Sequence, residues 1–406
     1  MSDTISQIDT KKSFTTPLII IGILFFIFGL VTWVNSVLIA FFQKEFHLDQ
    51  TQSYLVTFAF FISYTIMAIP CSAILKKTGF KNGISLGLAT MACGTLIFIP
   101  AANMASYYFF LVGLFVIGVG LTILQTASNP YVTIIGPRES AAQRISLMGI
   151  MNKVAGIISQ FIFGGILLGT TSSANKGLDK LVTPYLILTA ILIILAIWIR
   201  YSHLPEVSEE QDESISVETE KTSIFQFPNL VLGMLAMFAY VGVEVIAGDT
   251  IILYGKSLGF VEETAKLFSY IPLGGMLLGY VIGIVLIPKF ISQQKFLKIS
   301  AITGIIFTII ALLTSGLTSV WFIGFLGLAN AVMWPALWPL GINGLGKFTK
   351  LGSALMIMGI SGGAILPLVL GRLSESMTQH FAYFITIPCY AYILYYAMIG
   401  YKKKSW

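Results

Sequence analysis

Residues 121–136 read LTILQTASNPYVTIIG, and residues 326–341 read LGLANAVMWPALWPLG. Side by side, each stretch places an amide, Gln125 or Asn330, then four residues, then a proline, Pro130 or Pro335, and each closes on a glycine, Gly136 or Gly341. A polar basic turn and a Leu-Met pair follow both, at Leu147-Met148 and Leu355-Met356. Pro130 and Pro335 lie 205 residues apart, and Met148 and Met356 lie 208 apart, close to half of the 406-residue chain. Both stretches sit inside long apolar runs, where hydrocarbon penalises unpaired amides and missing backbone donors alike. A pattern so costly, present twice, predicts two similar halves around a shared site at mid-membrane.

The chain is 56% hydrophobic and 10% charged, with a mean hydropathy of +0.87. Soluble domains carry about a quarter charged residues, so this is an integral membrane protein. Twelve apolar runs are each long enough to cross roughly 30 Å of hydrocarbon. They lie near 17–42, 53–75, 83–102, 107–136, 145–169, 181–201, 228–255, 266–287, 296–314, 318–345, 351–373 and 381–401, and are called spans 1 to 12 below. One long polar stretch interrupts them, an acidic, Ser- and Glu-rich run whose composition reads as a linker. The predicted organisation is six spans in 1–201, a linker in 202–227, and six spans in 228–406.

Most of the 24 Lys and Arg cluster at one set of span ends, including Lys76, Lys77, Lys81, Arg144, Arg200, Lys295, Lys298 and Lys402 to Lys404. The positive-inside bias then places both termini in the cytoplasm, and the net charge of +6 reflects this bias rather than a nucleic-acid partner. The polar start followed by a long apolar run predicts no cleaved signal. Cys71, Cys93 and Cys389 lie in or beside spans, an odd set without disulfide or metal spacing. No P-loop and no nucleophile–base set is visible, so an enzyme is not expected. The glycines of GGMLLGYVIG (274–283) and GISGGAILP (359–367) read as close helix contacts.

Four stretches carry a resemblance: LQTASNPYVTIIGP (124–137), YVGVEVIAGD (240–249), ANAVMWPALWPLGINGLGKFTKLGSALMIMGISGGAILP (329–367) and PCYAYILYYA (388–397). They resemble, nearly end to end, the fucose–galactose–glucose:proton symporter family of the major facilitator superfamily. The resemblance implies an all-α integral membrane protein with the major facilitator fold, twelve transmembrane helices in two six-helix pseudo-symmetric halves. The superfamily's loop after span 2, Gly-x-x-x-Asp-Arg-x-Gly-x-Lys, here reads SAILKKTGFK (72–81), with Ser72 for the first Gly and Lys76 for the Asp. The latch that the Asp supports must be built differently.

In such carriers spans 1, 4, 7 and 10 line a central cavity, and a sugar there needs neutral amides to hydrogen-bond and an aromatic face to stack. Gln125, Ser128 and Asn129 share one face of span 4 at i, i+3 and i+4. Gln125 and Asn129 are candidate sugar ligands, Ser128 a packing residue; the competing reading for all three is interhelical hydrogen bonding. Asn35 in span 1 and Asn330, Trp334 and Trp338 in span 10 are further candidates. By resemblance, Asn152 of span 5 and Trp334 match family sugar contacts. The competing reading for the tryptophans is lipid or core packing.

Proton-driven members of the family carry an Asp in span 1 and a Glu in span 4, where this chain has Ser36 and Gln125, neither of which titrates. Three charged residues remain within spans: Lys153, Glu244 and Asp249. Intramembrane charges are costly and mark function. Glu244 sits roughly 18 Å from its helix end, near the midplane. It is expected to be the principal coupling or sugar-binding carboxylate, with Asp249 secondary. Five residues separate the two by about 140°, so an unwinding at Gly248 would be needed to aim both at one cavity. Lys153 could instead hold either acid in a gating pair.

The expectation is therefore a monomeric importer of a hexose or related monosaccharide working by alternating access, multi-pass in the bacterial inner membrane. It needs no cofactor beyond a coupling ion, H⁺ or Na⁺. A uniporter and a non-transporting sugar sensor on the same fold remain the alternatives.

Overall fold

The computed structural model describes residues 2–134, 141–169, 177–202, 221–287 and 289–406, and every regular element among them is helical. The middle of the expected linker and the turn after span 4, with Arg138, lie outside the described residues.

Eleven described helices are long and apolar enough to span a membrane. One of them, Leu55–Asn103, has 49 residues and breaks at Gly79 (φ 75°, ψ 170°). The Tyr107 hydroxyl just beyond its end donates to the Gln52 carbonyl just before its start, at 2.7 Å. The chain has therefore turned back, and spans 2 and 3 make the total twelve. Gly79 is the glycine of the SAILKKTGFK turn, and its left-handed φ is one that few side chains adopt. That turn is tied to the end of span 6 by a hydrogen bond from Arg200 to Asn82 and one from the Ser85 hydroxyl to the Ala196 carbonyl at 2.8 Å. These bonds stand where the superfamily's acidic latch residue is missing.

Packing repeats with the sequence. Span 1 lies on span 5, span 4 on spans 2 and 3, and span 3 on span 6. In the second half, span 7 lies on span 11, span 10 on spans 8 and 9, and span 9 on span 12. The halves meet where span 5 packs on span 8 and span 2 on span 11, two contacts that exchange when the halves are swapped. Spans 7 and 10 are 72% buried along their apolar windows, whereas spans 6 and 9 are 33% buried and face outward. A helix apolar all round is stable on either side of that divide, against protein or against lipid.

Glycine allows the close approaches. A Cβ at Gly362 would lie 1.8 Å from the Phe238 carbonyl oxygen, and one at Gly279 would lie 2.5 Å from the Ala331 Cβ. The GISGGAILP and GGMLLGYVIG stretches are helix contacts, as their composition suggested.

Three spans are interrupted. Span 1 consists of Ser2–Thr32 and Asn35–Phe46, parted by a turn at Trp33 and Val34. The Gln160 side-chain amide donates to the Trp33 carbonyl, a group that the helix ladder would otherwise use. Span 10 consists of Gly316–Asn330 and Met333–Gly341. Pro335 and Pro339 have no N–H for the carbonyls one turn earlier, so its second segment starts from a turn at Ala331 and Val332. Span 4, with Pro130 alone, stays one helix over Tyr107–Ile134. Span 7 runs unbroken through Gly248 as Pro228–Asp249 and is interrupted only at Thr250. The helix is regular at Gly248, where an unwinding had been one way to aim both acids at one cavity.

Candidate functional site

A cavity opens between the halves, walled by spans 1, 2, 4 and 5 on one side and 7, 8, 10 and 11 on the other. Its far end, away from the chain termini, is sealed by bonds that cross between the halves. Lys44 pairs with Glu262 at 2.6 Å, the Thr51 amide donates to Glu375 at 3.4 Å, and Gln50 donates to Gln379 at 3.4 Å. Gln379 in turn donates to the Tyr54 hydroxyl at 2.9 Å. The cavity wall runs the other way, past Asn129 and Trp338 to Val132 and Ile145 near the terminal end.

The wall joins stacking surfaces to neutral amides. The rings of Trp334 and Trp338 stack, with centroids 5.6 Å apart and planes 19° apart, and Tyr240 leans on Trp334 at 6.5 Å. One turn of helix separates the two indoles, so the second segment of span 10 presents them together. Gln125 donates to the Tyr64 hydroxyl at 2.8 Å, and both line the cavity. Asn129 also lines it, and its amide nitrogen is buried with no partner in the protein. An unpaired buried donor costs about 1–3 kcal/mol, which a ligand acceptor would recover. Ser128 is buried off the cavity, in keeping with packing.

Lys153, Glu244 and Asp249 are the charged residues of the wall. Lys153 Nζ lies 2.9 Å from Glu244 Oε1 and 4.1 Å from the centre of the Trp33 ring. The Tyr240 hydroxyl, one turn back, also interacts with Glu244. Asp249 is 1% exposed, and its Oδ1 has no hydrogen-bond partner. Both acids reach the cavity from a regular helix because the cavity wraps half of it. At about 100° per residue, Tyr240, Glu244, Val241, Val245 and Asp249 fan over roughly 180°, and all five line the wall.

Trp33 organises the centre, and the sequence offered no periodicity to single it out. Its indole N–H donates to Asn152 Oδ1 at 2.9 Å, and its ring lies so near Gly156 and Gly248 that a Cβ there would approach within 2.7 and 2.5 Å. Gly248 thus makes room for an indole from the opposite half instead of unwinding span 7. The interruption of span 1 turns Trp33 to this position; its only sequence signal is the neighbouring Asn35-Ser36 pair. Tyr64 and Tyr280 were likewise not anticipated, because tyrosines in apolar helices carry no pattern of their own.

Of the expected ligands, Gln125, Asn129, Asn152, Trp334 and Trp338 line the cavity, with Lys153, Glu244 and Asp249. Asn35 and Asn330 lie off the cavity, for a common reason. Each sits at the turn of an interrupted span, so extrapolating a regular helix misplaces its side chain. Asn330 accepts from the Tyr390 hydroxyl of span 12 at 2.8 Å. Asn35 is fully buried with both amide atoms unpartnered. Ser36 accepts from Gln160 at 2.6 Å, also away from the cavity.

Two packed six-helix halves around a central cavity lined by aromatic rings and a few amides and charges, sealed at one end, define a membrane carrier of the alternating-access type. The sequence profile of the Major Facilitator Superfamily matches residues 21–367. The chain belongs to that superfamily. It is 36% identical to a glucose/galactose transporter of Brucella abortus, over 98% of this chain and 97% of the relative. It is 30% identical to the L-fucose-proton symporter of Escherichia coli, over 95% and 93%. A crystal structure of the transporter FucP in an outward conformation superposes with a TM-score of 0.75 at 28% identity, covering 95% of this chain and 98% of that one.

Proposed function

We propose that this carrier imports a hexose of the glucose and galactose type, coupled to H⁺ or Na⁺ through the carboxylates of span 7. The observation that carries the reading is the cavity wall itself, where a stacked tryptophan pair faces the Gln125–Tyr64 pair and the unpartnered Asn129 amide. An apolar sugar face rests on indole, and its hydroxyls satisfy amides and phenols. The glucose/galactose and fucose carriers similar to this chain support the same substrate class. A site built for an effluxed hydrophobic compound would not leave an amide unpaired.

With the basic span ends and both termini in the cytoplasm of a bacterial inner membrane, the sealed end faces outward. The conformation described is then the inward-facing one, from which sugar leaves toward the terminal end. Gln125 and Ser36 stand where proton-driven relatives have acids, so coupling through those two positions is unavailable. The remaining carboxylates, Glu244 and Asp249, carry that part of the reading.

Radiolabelled hexose uptake into proteoliposomes tests it, without a gradient and with an inward proton or sodium gradient. Saturable uptake, accumulated above equilibrium under one ion, is expected. Trp334→Ala should raise KM about tenfold, since loss of an aromatic stacking face costs about 1.4 kcal/mol. Gln125→Leu should raise it roughly fivefold through one lost hydrogen bond. Equilibration indifferent to both gradients would make the protein a uniporter, and no saturable flux of any hexose would refute the transport reading.

A further inference from the structure

We infer that Asp249 of span 7 and Thr32 of span 1 form the binding site for a single monovalent cation, loaded once per transport cycle; the inference rests on the carrier reading above.

The first argument is charge. The cavity wall holds one cation, Lys153, and two carboxylates, Glu244 and Asp249. Lys153 is committed: its ammonium contacts Glu244 at 2.9 Å and covers the Trp33 ring at 4.1 Å. Moving it to Asp249 would only orphan Glu244. The charged groups acting on Asp249 are Glu244 on its own helix and Lys153 from span 5. The other titratable side chains of the wall, Tyr64 of span 2, Tyr240 of span 7 and Tyr280 of span 8, add no positive charge. One negative charge is left over in a desolvated site, where uncompensated charge is strongly unfavourable.

The second argument is the placement of unpaired oxygens. Asp249 Oδ1 and Thr32 Oγ1 are both buried without a hydrogen-bond partner, their residues 1% and 8% exposed. Both residues line the cavity. They flank one contact between the halves: Thr32 precedes Trp33, Asp249 follows Gly248, and the Trp33 ring seats on Gly248. A hydroxyl and a carboxylate oxygen, contributed by different halves, suit a hard cation that takes oxygen ligands. A proton on the carboxylate closes the same charge count. Because the two residues ride on different halves, rocking the halves parts them and releases the cation, which links loading to conformation.

Direct ²²Na⁺ binding and proton uptake, read with a pH indicator on purified protein without sugar, tests the site itself. Binding of about one ion per protein is expected for one of the two cations, and Asp249→Asn should abolish it. Thr32→Val should weaken that binding at least tenfold, and binding unchanged in this variant would overturn the place of Thr32 in the site. In proteoliposomes, Asp249→Asn should bring hexose accumulation down to the equilibrium level while exchange of internal for external sugar continues. Stoichiometric binding that survives Asp249→Asn, accumulation that survives it, or binding of neither cation by the wild-type protein would overturn the inference. Absence of hexose exchange in the wild-type protein would refute the carrier reading instead, leaving the binding measurement to decide the cation site alone.

Discussion

Replacing Lys153 by Met should unfold or inactivate the carrier, and adding Glu244→Gln to the same chain should restore most of the lost stability. Lys153 is 5% exposed and its side chain pairs with Glu244 at 2.9 Å from the opposite half. Removing one member of a buried ion pair leaves the other charge without compensation, at a cost of about 3–5 kcal/mol. In this site the cost is compounded, because Asp249 would then face Glu244 along one wall with no cation between them. Neutralising Glu244 removes the orphan, and a pair of neutral side chains of similar volume is tolerated far better than half of an ion pair. The check is a thermal melt of the single and double variants in detergent, with hexose uptake alongside. A single variant as stable as the wild-type protein would show that the pair carries no energetic weight. If the double variant melts normally and still accumulates sugar above equilibrium, the pair serves to position and neutralise, and not to carry the ion.

Gly371→Trp should trap the sealed end open and cut uptake by about ten- to a hundredfold. Gly371 of span 11 packs on the turn between spans 1 and 2, where a Cβ would come 2.8 Å from Tyr54 Cδ2 and 3.0 Å from the Thr51 Cα. The latter is backbone and has no rotamer to yield. An indole at this point must hold the halves apart at the end where Lys44 meets Glu262 and Gln379 meets Tyr54. Overpacking costs typically 1–3 kcal/mol and occasionally more, and each 1.4 kcal/mol is tenfold in the population able to close. Sugar binding in detergent should persist, since the cavity is not touched. A cysteine placed at Gln50 should become reactive to a membrane-impermeant maleimide from outside. Normal uptake with that cysteine still protected would contradict the assignment of this end as a gate.

These two expectations draw on different layers of information. Lys153, Glu244 and Asp249 could be singled out from the chain because charge in an apolar run is expensive and therefore conspicuous. Their division of labour could not. Glu244 looked like the principal acid by depth, yet the fold pairs it with Lys153 and leaves an oxygen of Asp249 unpartnered. Likewise Gln125, Asn129, Trp334 and Trp338 were visible as polar or aromatic residues on spans that line the cavity, whereas Asn35 and Asn330 looked equivalent and were not. The difference lies in the turns at Trp33–Val34 and Ala331–Val332. A helical wheel assumes a constant 100° per residue, and one turn that departs from it rotates everything beyond.

Composition, span length and the half-chain repeat of an amide and a proline were enough to determine a membrane protein of about twelve spans in two similar halves, and the resemblance of four stretches to a known family added that it is a carrier. Those properties follow from the free energy of moving apolar and polar groups between water and lipid, a local quantity that each segment carries by itself. Only the tertiary structure decided which polar groups share the cavity, that Trp33 seats on Gly248 from the opposite half, and that the Lys153 ammonium pairs with Glu244 and leaves an oxygen of Asp249 unpartnered. Those are relations between residues far apart in the chain. They depend on ångström-scale packing and on where individual helices break, which no segment encodes alone.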